Sequence, residues 1–395
     1  MIENIDSVNG FNCFPLRGYE GDLVMRCPQR VWVAVLLLTN ASSFKLWTTS
    51  RQQNCPSRQT MTRSFGWSCA IEVDSSRKIQ SRPLDSENSS PRQWLEYHES
   101  RNDNVGGVYT VMRCDLCHDG SWKRWGQDFH LQRLVQSHAM HCDQVLSSKE
   151  EAVARDSSTK VIHSLLSKGT QNLQGQSASE VGEICVAMVT LLWQTEGDNH
   201  NKLVVRGHIY SSGAYANAQR DYQPDSIVLS LARPRGDDTL PNRWSHLPEA
   251  KLSSWCRRRR PLEEQFKKHG ASEVLLTMMD STGQHILEGL TTNVFVRYHN
   301  GTMRTPSSGV LGGFARSLVV RSAKALGIVI EEGPLAFEPE KWAEVFVTSS
   351  IRLLVPVVSI IEIEGDDANV LWRAPPEDSC KWRTIYEDVL AREYQ

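Results

Sequence analysis

No apolar run in this 395-residue chain approaches the roughly 20 residues that a membrane-spanning helix needs, which argues against a membrane as partner. A charge excess is missing too. Lys and Arg number 44 against 46 Asp and Glu, a net charge of -2, so there is no overall electrostatic case for nucleic acid. The ten cysteines are scattered without the density of a disulfide-stapled domain, and a reducing compartment is the default. No internal repeat is visible. Acidic residues are absent between positions 23 and 71, where Arg26, Arg30, Lys45, Arg51, Arg58 and Arg63 lie among many Ser, Thr and Gln. Such a stretch does not make a core.

What is present divides into three parts: 1–91, a disordered or targeting N-terminal segment and linker; 92–235, a small N-terminal domain; and 236–395, a larger C-terminal domain. Within the first, Met25, basic residues, the apolar run 31–38 and then Thr39, Asn40, Ala41 and Ser42 follow the order of a secretory-type segment with a small-residue cleavage site. Counted from Met25, with a Ser/Thr/Arg-rich stretch behind it, the segment resembles a two-part plastid-targeting sequence. Counted from Met1, Glu3, Asp6, Glu20 and Asp22 spoil the pattern, and the alternative is a disordered tail or a misassigned gene start on a cytoplasmic protein. Residues 74–91 are polar and Ser-rich, as a linker is.

Apolar periodicity places strands at 108–114, 184–193 and 202–210 and a helix at 127–146, with a Pro/Gly/Asp-rich boundary at 233–248. Beyond it the pattern predicts a helix over 255–269 ended by Gly270. Strands are expected at 274–279, 286–298, 328–331, 345–348 and 353–363, with a hairpin turn at Asn300-Gly301. Helices at 313–326, stopped by Gly327, and at 382–392 complete the set. Hairpins dominate the second half, so the expected class is α+β, a mixed α/β chain without a doubly wound sheet.

Three chemical features stand out. Lys251 lies beside Leu252, Ser253, Ser254 and Trp255, where partial desolvation lowers an amine's pKa and favours the neutral nucleophile. Glu288 sits in a strand-rich stretch, EGLTTNVFV, in which a buried carboxylate can face a cationic ring nitrogen. Gly312-Gly313 opens a helix whose first N–H groups, at Phe314 and Ala315, can receive a phosphate, with hydroxyls of Thr348, Ser349 and Ser350 as further donors. An amine for an imine, an anion for a ring nitrogen and a phosphate cradle are what pyridoxal phosphate demands.

In this order, AKLSSW, ILEGLTTNVFV, GTMRTPSSGVLGGFARSLV and AEVFVTSSIRLLVPV, with GGVYTVMR and FHLQRLVQS upstream, resemble the class IV aminotransferases, the fold-type IV pyridoxal phosphate enzymes. That family includes branched-chain and D-amino acid aminotransferases and aminodeoxychorismate lyase. The resemblance implies a small N-terminal α/β domain, a larger barrel-like C-terminal domain with the cofactor between them, and a homodimer. It implies that Lys251 forms the Schiff base and Glu288 partners the pyridinium. Arg133 reaches the phosphate, Leu311 packs on the ring, and Gly313, Phe314, Ala315, Ser349 and Ser350 complete the cradle, with Tyr109 on the substrate side. The implied substrates are a small-molecule amino acid and keto acid.

Two positions depart from the family pattern. Ala315 stands where many members carry Thr or Ser, and Ile351 where others have a second small or polar residue, which implies weaker phosphate binding. Residues 186–197 lack a paired Arg and His of the kind D-amino acid aminotransferases use for the substrate carboxylate. The TSSIRLL and YTVMR runs lean toward lyase-like and plant-type members. The alternatives to an aminotransferase are therefore an aminodeoxychorismate lyase-type enzyme or a pyridoxal phosphate-binding protein without turnover. Cys114, Cys117 and His118, which spell a haem-attachment string, and the His138, His141 and Cys142 group are read as ordinary loop and helix residues, with no metal expected. Lys267 and Lys268 lie in a polar helical stretch that suits the imine less well than the Lys251 segment. Trp122 and Trp125 beside Lys123 and Arg124 are too small a cluster for a nucleic-acid surface.

Overall fold

The computed structural model describes residues 90–101, 106–117, 119–143, 145–173, 186–196, 202–211, 227–232, 247–375 and 381–393, and the strands 22–27, 30–35, 48–49, 65–72 and 79–82. Contacts divide the chain into two compact units, Met1–Met61 and Thr62–Gln395. The first holds an antiparallel sheet of β1 (Asp22–Cys27), β2 (Arg30–Val35) and β3 (Thr48–Thr49). Residues 31–35 of the apolar run expected in a targeting segment lie in β2, and the rest of that run lies outside the described residues.

The second unit contains two sheets. The six-stranded one is built from β4 (Phe65–Glu72), β5 (Ile79–Arg82), β6 (Val108–Leu116), β7 (Trp122–Arg124), β8 (Val186–Glu196) and β9 (Lys202–Ser211), in the order β5-β4-β9-β8-β6-β7. Strands β4 and β5 belong to the stretch read from sequence as targeting segment and linker; β4 pairs along its whole length with β9. Three helices accompany this sheet: α1 (Pro91–Arg101), α2 (Gln127–Cys142) and α3 (Ser148–Leu173). Neither α1 nor α3 is marked by the periodicity read from sequence. Strand β6 alternates cleanly. Val108, Met112 and Cys114 join the core formed with Leu131 and Leu134 of α2 and Val161, Ile162 and Leu165 of α3. Tyr109 and Val111 point the other way, into a cluster with Trp94 and Leu95 of α1 and with Cys256.

The larger sheet runs through β10 (Ile227–Ala232), β11 (Ala271–Asp280), β12 (Gly283–Gly289), β13 (Asn293–Tyr298), β14 (Met303–Thr305), β15 (Ile330–Glu332), β16 (Leu335–Ala336), β17 (Trp342–Ser349), β18 (Leu353–Glu364) and β19 (Asp367–Arg373). Its order is β15-β14-β13-β17-β18-β10-β11-β12-β16, with β19 on β18. Strand β18 joins the halves, its start pairing with β17 and its later residues with β10 and β19. The sheet curls round a core of Val294, Val296, Val345, Val347, Val355 and Val357. The alternate residues Phe295, Phe346 and Leu354 face α6 (Phe314–Ala325) and α7 (Trp382–Glu393), whose Leu318, Val319, Ile385 and Val389 fill that side. Two hydrophobic layers thus hold one sheet, as expected of a mixed α and β chain.

The helix expected over 255–269 is instead two short pieces, α4 (Trp255–Arg258) and α5 (Arg260–Phe266). Pro261 has no N–H to offer the preceding turn, so the ladder restarts there. The single strand expected over 286–298 is interrupted at 290–292, where the Gly289 N–H donates to the Thr292 carbonyl at 2.7 Å. That tight reversal places the end of β12 beside the start of β13, and with it Glu288 beside Asn293. Among the described residues no helix is long and apolar enough to cross a membrane.

Candidate active site

Lys251 is fixed by its backbone before its side chain does anything. Leu252 forms an isolated bridge to Val108, Tyr109 N–H donates to the Lys251 carbonyl at 2.9 Å, and Lys251 N–H donates to Ser137 Oγ at 3.1 Å. On either side of the bridge, Ser253 N–H donates to Gly107 O at 2.8 Å and Gly107 N–H to Ser253 Oγ at 2.9 Å. The lysine is thereby stitched to β6 on one side and α2 on the other. Its Nζ stands 4.7 Å from the centroid of the Tyr109 ring. Water still reaches part of the residue, but the surrounding protein strips enough solvent from the amine to bring its pKa down to about 7, with the Arg133 guanidinium adding to the fall and Cys256 and Glu288 opposing it.

Glu288, at the end of β12, uses one oxygen for two bonds: its Oε2 accepts from Leu311 N–H at 3.0 Å and from Asn293 Nδ2 at 3.2 Å. The same Asn293 amide nitrogen donates to Leu311 O at 2.8 Å, so Asn293 clamps the approach to α6. Burial raises the Glu288 carboxyl to about 8, against the pull of the Leu311 bond and of Lys251. An amine near 7 and a carboxyl near 8 in mutual electrostatic contact are both poised to exchange protons close to neutrality.

Gly313 is the residue before α6, extended at φ -78° and ψ 143°, and no side chain caps the helix. A Cβ added there would lie 2.1 Å from Asn293 Oδ1, so only glycine lets the clamp close. The N–H groups of the first turn have no intrahelical acceptor and carry the positive end of the helix dipole. Phe314 seats the helix tip against α2: it is buried, its ring lies 5.5 Å from Phe129 and 5.3 Å from His130, and Gly126, at φ 61°, leaves the space that its ring occupies. Ala315 is buried in the same first turn.

Arg133 comes to this tip from α2. Its Nη2 donates to Thr110 Oγ1 at 2.7 Å and to His130 Nδ1 at 3.1 Å, and its Nη1 is 3.5 Å from the Gly312 carbonyl. Since arginine can only donate, Nδ1 of His130 is the acceptor and the imidazole is neutral with its proton on Nε2. Burial, then Arg133 and Lys251, push the His130 pKa well down, which agrees. Burial also lowers Arg133 itself to about 10, and its buried Nε has no hydrogen-bond partner. A buried cation with an unpartnered edge, at a helix start without a cap, fits a dianionic phosphate. Thr348, at the end of β17, likewise has a buried Oγ1 without a partner; Ser349 Oγ accepts from Arg352 N–H at 3.2 Å, and Ser350 is half-buried in the turn that follows.

The structure therefore brings Lys251, Tyr109, Glu288, Arg133, Leu311 and Gly313 into one connected set. Phe314 and Ala315 stand on the helix tip, and Ser349 and Ser350 on the 348–352 turn. Thr110 and His130 were not singled out from sequence. Both lie inside the YTVMR and FHLQRL runs, but nothing in a linear pattern pairs a β6 hydroxyl with an α2 imidazole twenty residues on. Lys267 is tied up elsewhere, 3.5 Å from Glu263. Trp125 is fully buried, with its Nε1 donating to Asp115. His118 lies outside the described residues, and among these no group of three or more His, Cys, Asp or Glu is placed to hold a metal ion.

A curled mixed sheet with an amine, a carboxyl and a helix tip gathered at one end defines a fold-type IV pyridoxal phosphate enzyme. The amino-transferase class IV family model matches residues 107–360, and the chain belongs to that family. A hypothetical aminotransferase from Mycobacterium tuberculosis shares the fold at a TM-score of 0.55 and 16% identity, over 82% of this chain and 98% of that one. The branched-chain amino acid aminotransferase of T.th., in complex with N-(5'-phosphopyridoxyl)-L-glutamate, does so at 0.55 and 16%, over 83% and 94%. A fold IV-transaminase from Curtobacterium pusillum does so at 0.53 and 19%, over 82% and 99%. No curated protein matches the sequence.

Proposed function

We propose that this chain transfers an amino group from an amino acid to a keto acid with Lys251 as the covalent and proton-carrying amine. When bound, pyridoxal phosphate supplies the electron sink that stabilises charge at the substrate α-carbon. Arg133, the N–H groups of Phe314 and Ala315 and the hydroxyls of Ser349 and Ser350 would hold its phosphate. Leu311 would pack on its ring face and Gly313 would let it approach the backbone. Glu288, whose Oε2 already accepts from Leu311 and Asn293, would hold a proton at the ring nitrogen. Lys251, its amine brought down to about 7, would take the proton from the substrate α-carbon and deliver it to the cofactor's aldehyde carbon, the shift that turns an amino acid into a keto acid. Tyr109 fixes the amine's position and closes the substrate side. The neutral His130 keeps Arg133 aimed at the helix tip.

One observation carries this reading: Lys251 over the Tyr109 ring, Glu288 bonded to the Leu311 N–H and Arg133 at the Gly312 carbonyl converge beside a helix start that no side chain caps. The test is a half-reaction. Purified holoenzyme is mixed with single amino acids, branched-chain donors first, and conversion of pyridoxal phosphate to pyridoxamine phosphate is followed by absorbance and mass. Conversion by the parent and none by Lys251→Ala is the expected result. No conversion with any donor refutes the aminotransferase reading, and product release from aminodeoxychorismate in its place assigns a lyase. A homodimer, which the family resemblance implies, is checked by sedimentation of the same preparation.

A further inference from the structure

Arg113 is almost wholly buried on β6, and three contacts of its guanidinium bear on the turn at 349–352. Its Nε donates to Asp115 Oδ1 at 2.8 Å, its Nη1 donates to the carbonyl of Ile351 at 3.0 Å, and its guanidinium carbon lies 5.2 Å from the Trp125 ring centroid. Asp115, also buried, is held by its second oxygen, which accepts from Trp125 Nε1 at 2.9 Å. Strand β6 and the residue after β7 thus reach across to the turn that links β17 to β18, the turn that carries Ser349 and Ser350.

That turn is not at rest by itself. Leu353, which closes it and opens β18, has φ 59°, in the left-handed region where a side chain crowds its own backbone, and it is fully buried there. Inside the turn, the bond from Arg352 N–H to Ser349 Oγ is a local one. The bond from Arg113 comes from a different sheet, is charge-assisted, and falls on a main-chain oxygen, so it is indifferent to the side chain at 351. This answers the departure at that position. Ile351 brings no polar side chain to the turn, but its carbonyl is the point at which the turn is tied.

We infer that Arg113, locked by Asp115 and Trp125, is a positioning residue for the cofactor phosphate: it holds the Ser349–Ser350 turn in the conformation that presents its hydroxyls. This rests on the proposed cofactor site. Arg113 touches no reacting atom. Its effect passes through the turn and therefore falls on the phosphate and spares the ring. Pyridoxal, which has the ring and aldehyde but no phosphate, separates the two.

The experiment measures dissociation constants of pyridoxal phosphate and of pyridoxal for the apo-protein by fluorescence titration, in the parent and in two variants. The first is the pair Arg113→Gln with Asp115→Asn, which removes both charges together and leaves neither ion buried without its partner. The second is Arg113→Lys, whose single ammonium cannot span Asp115 and the Ile351 carbonyl at once. The pair should raise the pyridoxal phosphate constant about ten-fold, as loss of a charge-assisted bond does, and leave the pyridoxal constant within about two-fold of the parent. Arg113→Lys should move it in the same direction by less. Equal losses for both compounds, or no loss for either, in whichever variant keeps a cooperative thermal transition, overturn the inference. A parent that binds neither compound sinks the cofactor site itself.

Discussion

The amine of Lys251 offers the sharpest measurement. With its pKa near 7, about nine-tenths of it is neutral at pH 8, against about three parts in a thousand for a lysine at the ordinary 10.5, an advantage of ~300-fold in nucleophile concentration. Apo-protein is exposed to pyridoxal for a fixed short time at a series of pH values. The imine is trapped with borohydride, and labelling of the peptide containing Lys251 is quantified by mass spectrometry. The yield should rise about ten-fold between pH 6 and pH 8 and then level, with a midpoint near 7. Burial is the main cause and the Arg133 cation the next, so Arg133→Gln should move the midpoint upward. Pyridoxal has no phosphate for Arg133 to hold, so that shift reads the charge alone. A midpoint near 10, or a label shared with Lys267 and Lys268, would show an amine as well solvated as any surface lysine and rule out a lowered pKa at Lys251.

Three further outcomes follow from the same geometry. Gly313→Ala puts a methyl group 2.1 Å from Asn293 Oδ1 and should cost about 1–3 kcal/mol in chemical denaturation while weakening pyridoxal phosphate binding. Trp125→Phe removes a buried donor from Asp115 and should lower stability by about 1–3 kcal/mol, with the Arg113 bond to Ile351 loosened as well. Glu288 is raised to about 8 from the ordinary 4.5, so its proton favours the folded chain. That contribution is full below about pH 4.5 and is lost as pH rises through about 8. The thermal midpoint of the apo-protein, measured against Glu288→Gln, should therefore fall across that window; a flat difference would place the carboxyl in water. Lys251 acts oppositely: the stability tied to its lowered pKa is lost as pH falls through about 7. Lys251 is present in both proteins, so its contribution enters both, shifted downward in Glu288→Gln by the loss of the charge that raises the amine.

Much of the candidate site was legible because its chemistry is local. Lys251 in an apolar and hydroxyl setting, Glu288 ahead of Asn293, and a glycine pair opening a periodic helix each need only a few neighbouring residues to be noticed. The alternation on β13, β17 and β18 and the 3.6-residue stripe of α6 are equally local, and strands and helix stand close to the expected positions. Elements without such a stripe were not legible. Helix α3 is long but carries Lys, Ser and Thr on much of its surface, and its core face of Val161, Ile162 and Leu165 is defined by the sheet it covers. Strands β4 and β5 are made strands by β9 and by each other.

The order of residues alone set the inventory: an amine, a carboxyl, a helix start opened by a glycine pair, and a mixed α and β architecture of the fold-type IV kind. Their state came from packing between separate elements. The pKa values of Lys251 and Glu288 depend on how much solvent the two sheets exclude, which no linear pattern encodes. The neutral His130, the Asn293 clamp on Leu311 and the Arg113 tie to the Ile351 carbonyl each rest on contacts between separate elements. Such pairings exist only where packed elements bring donors and acceptors within about 3 Å, and that distance is a property of the fold.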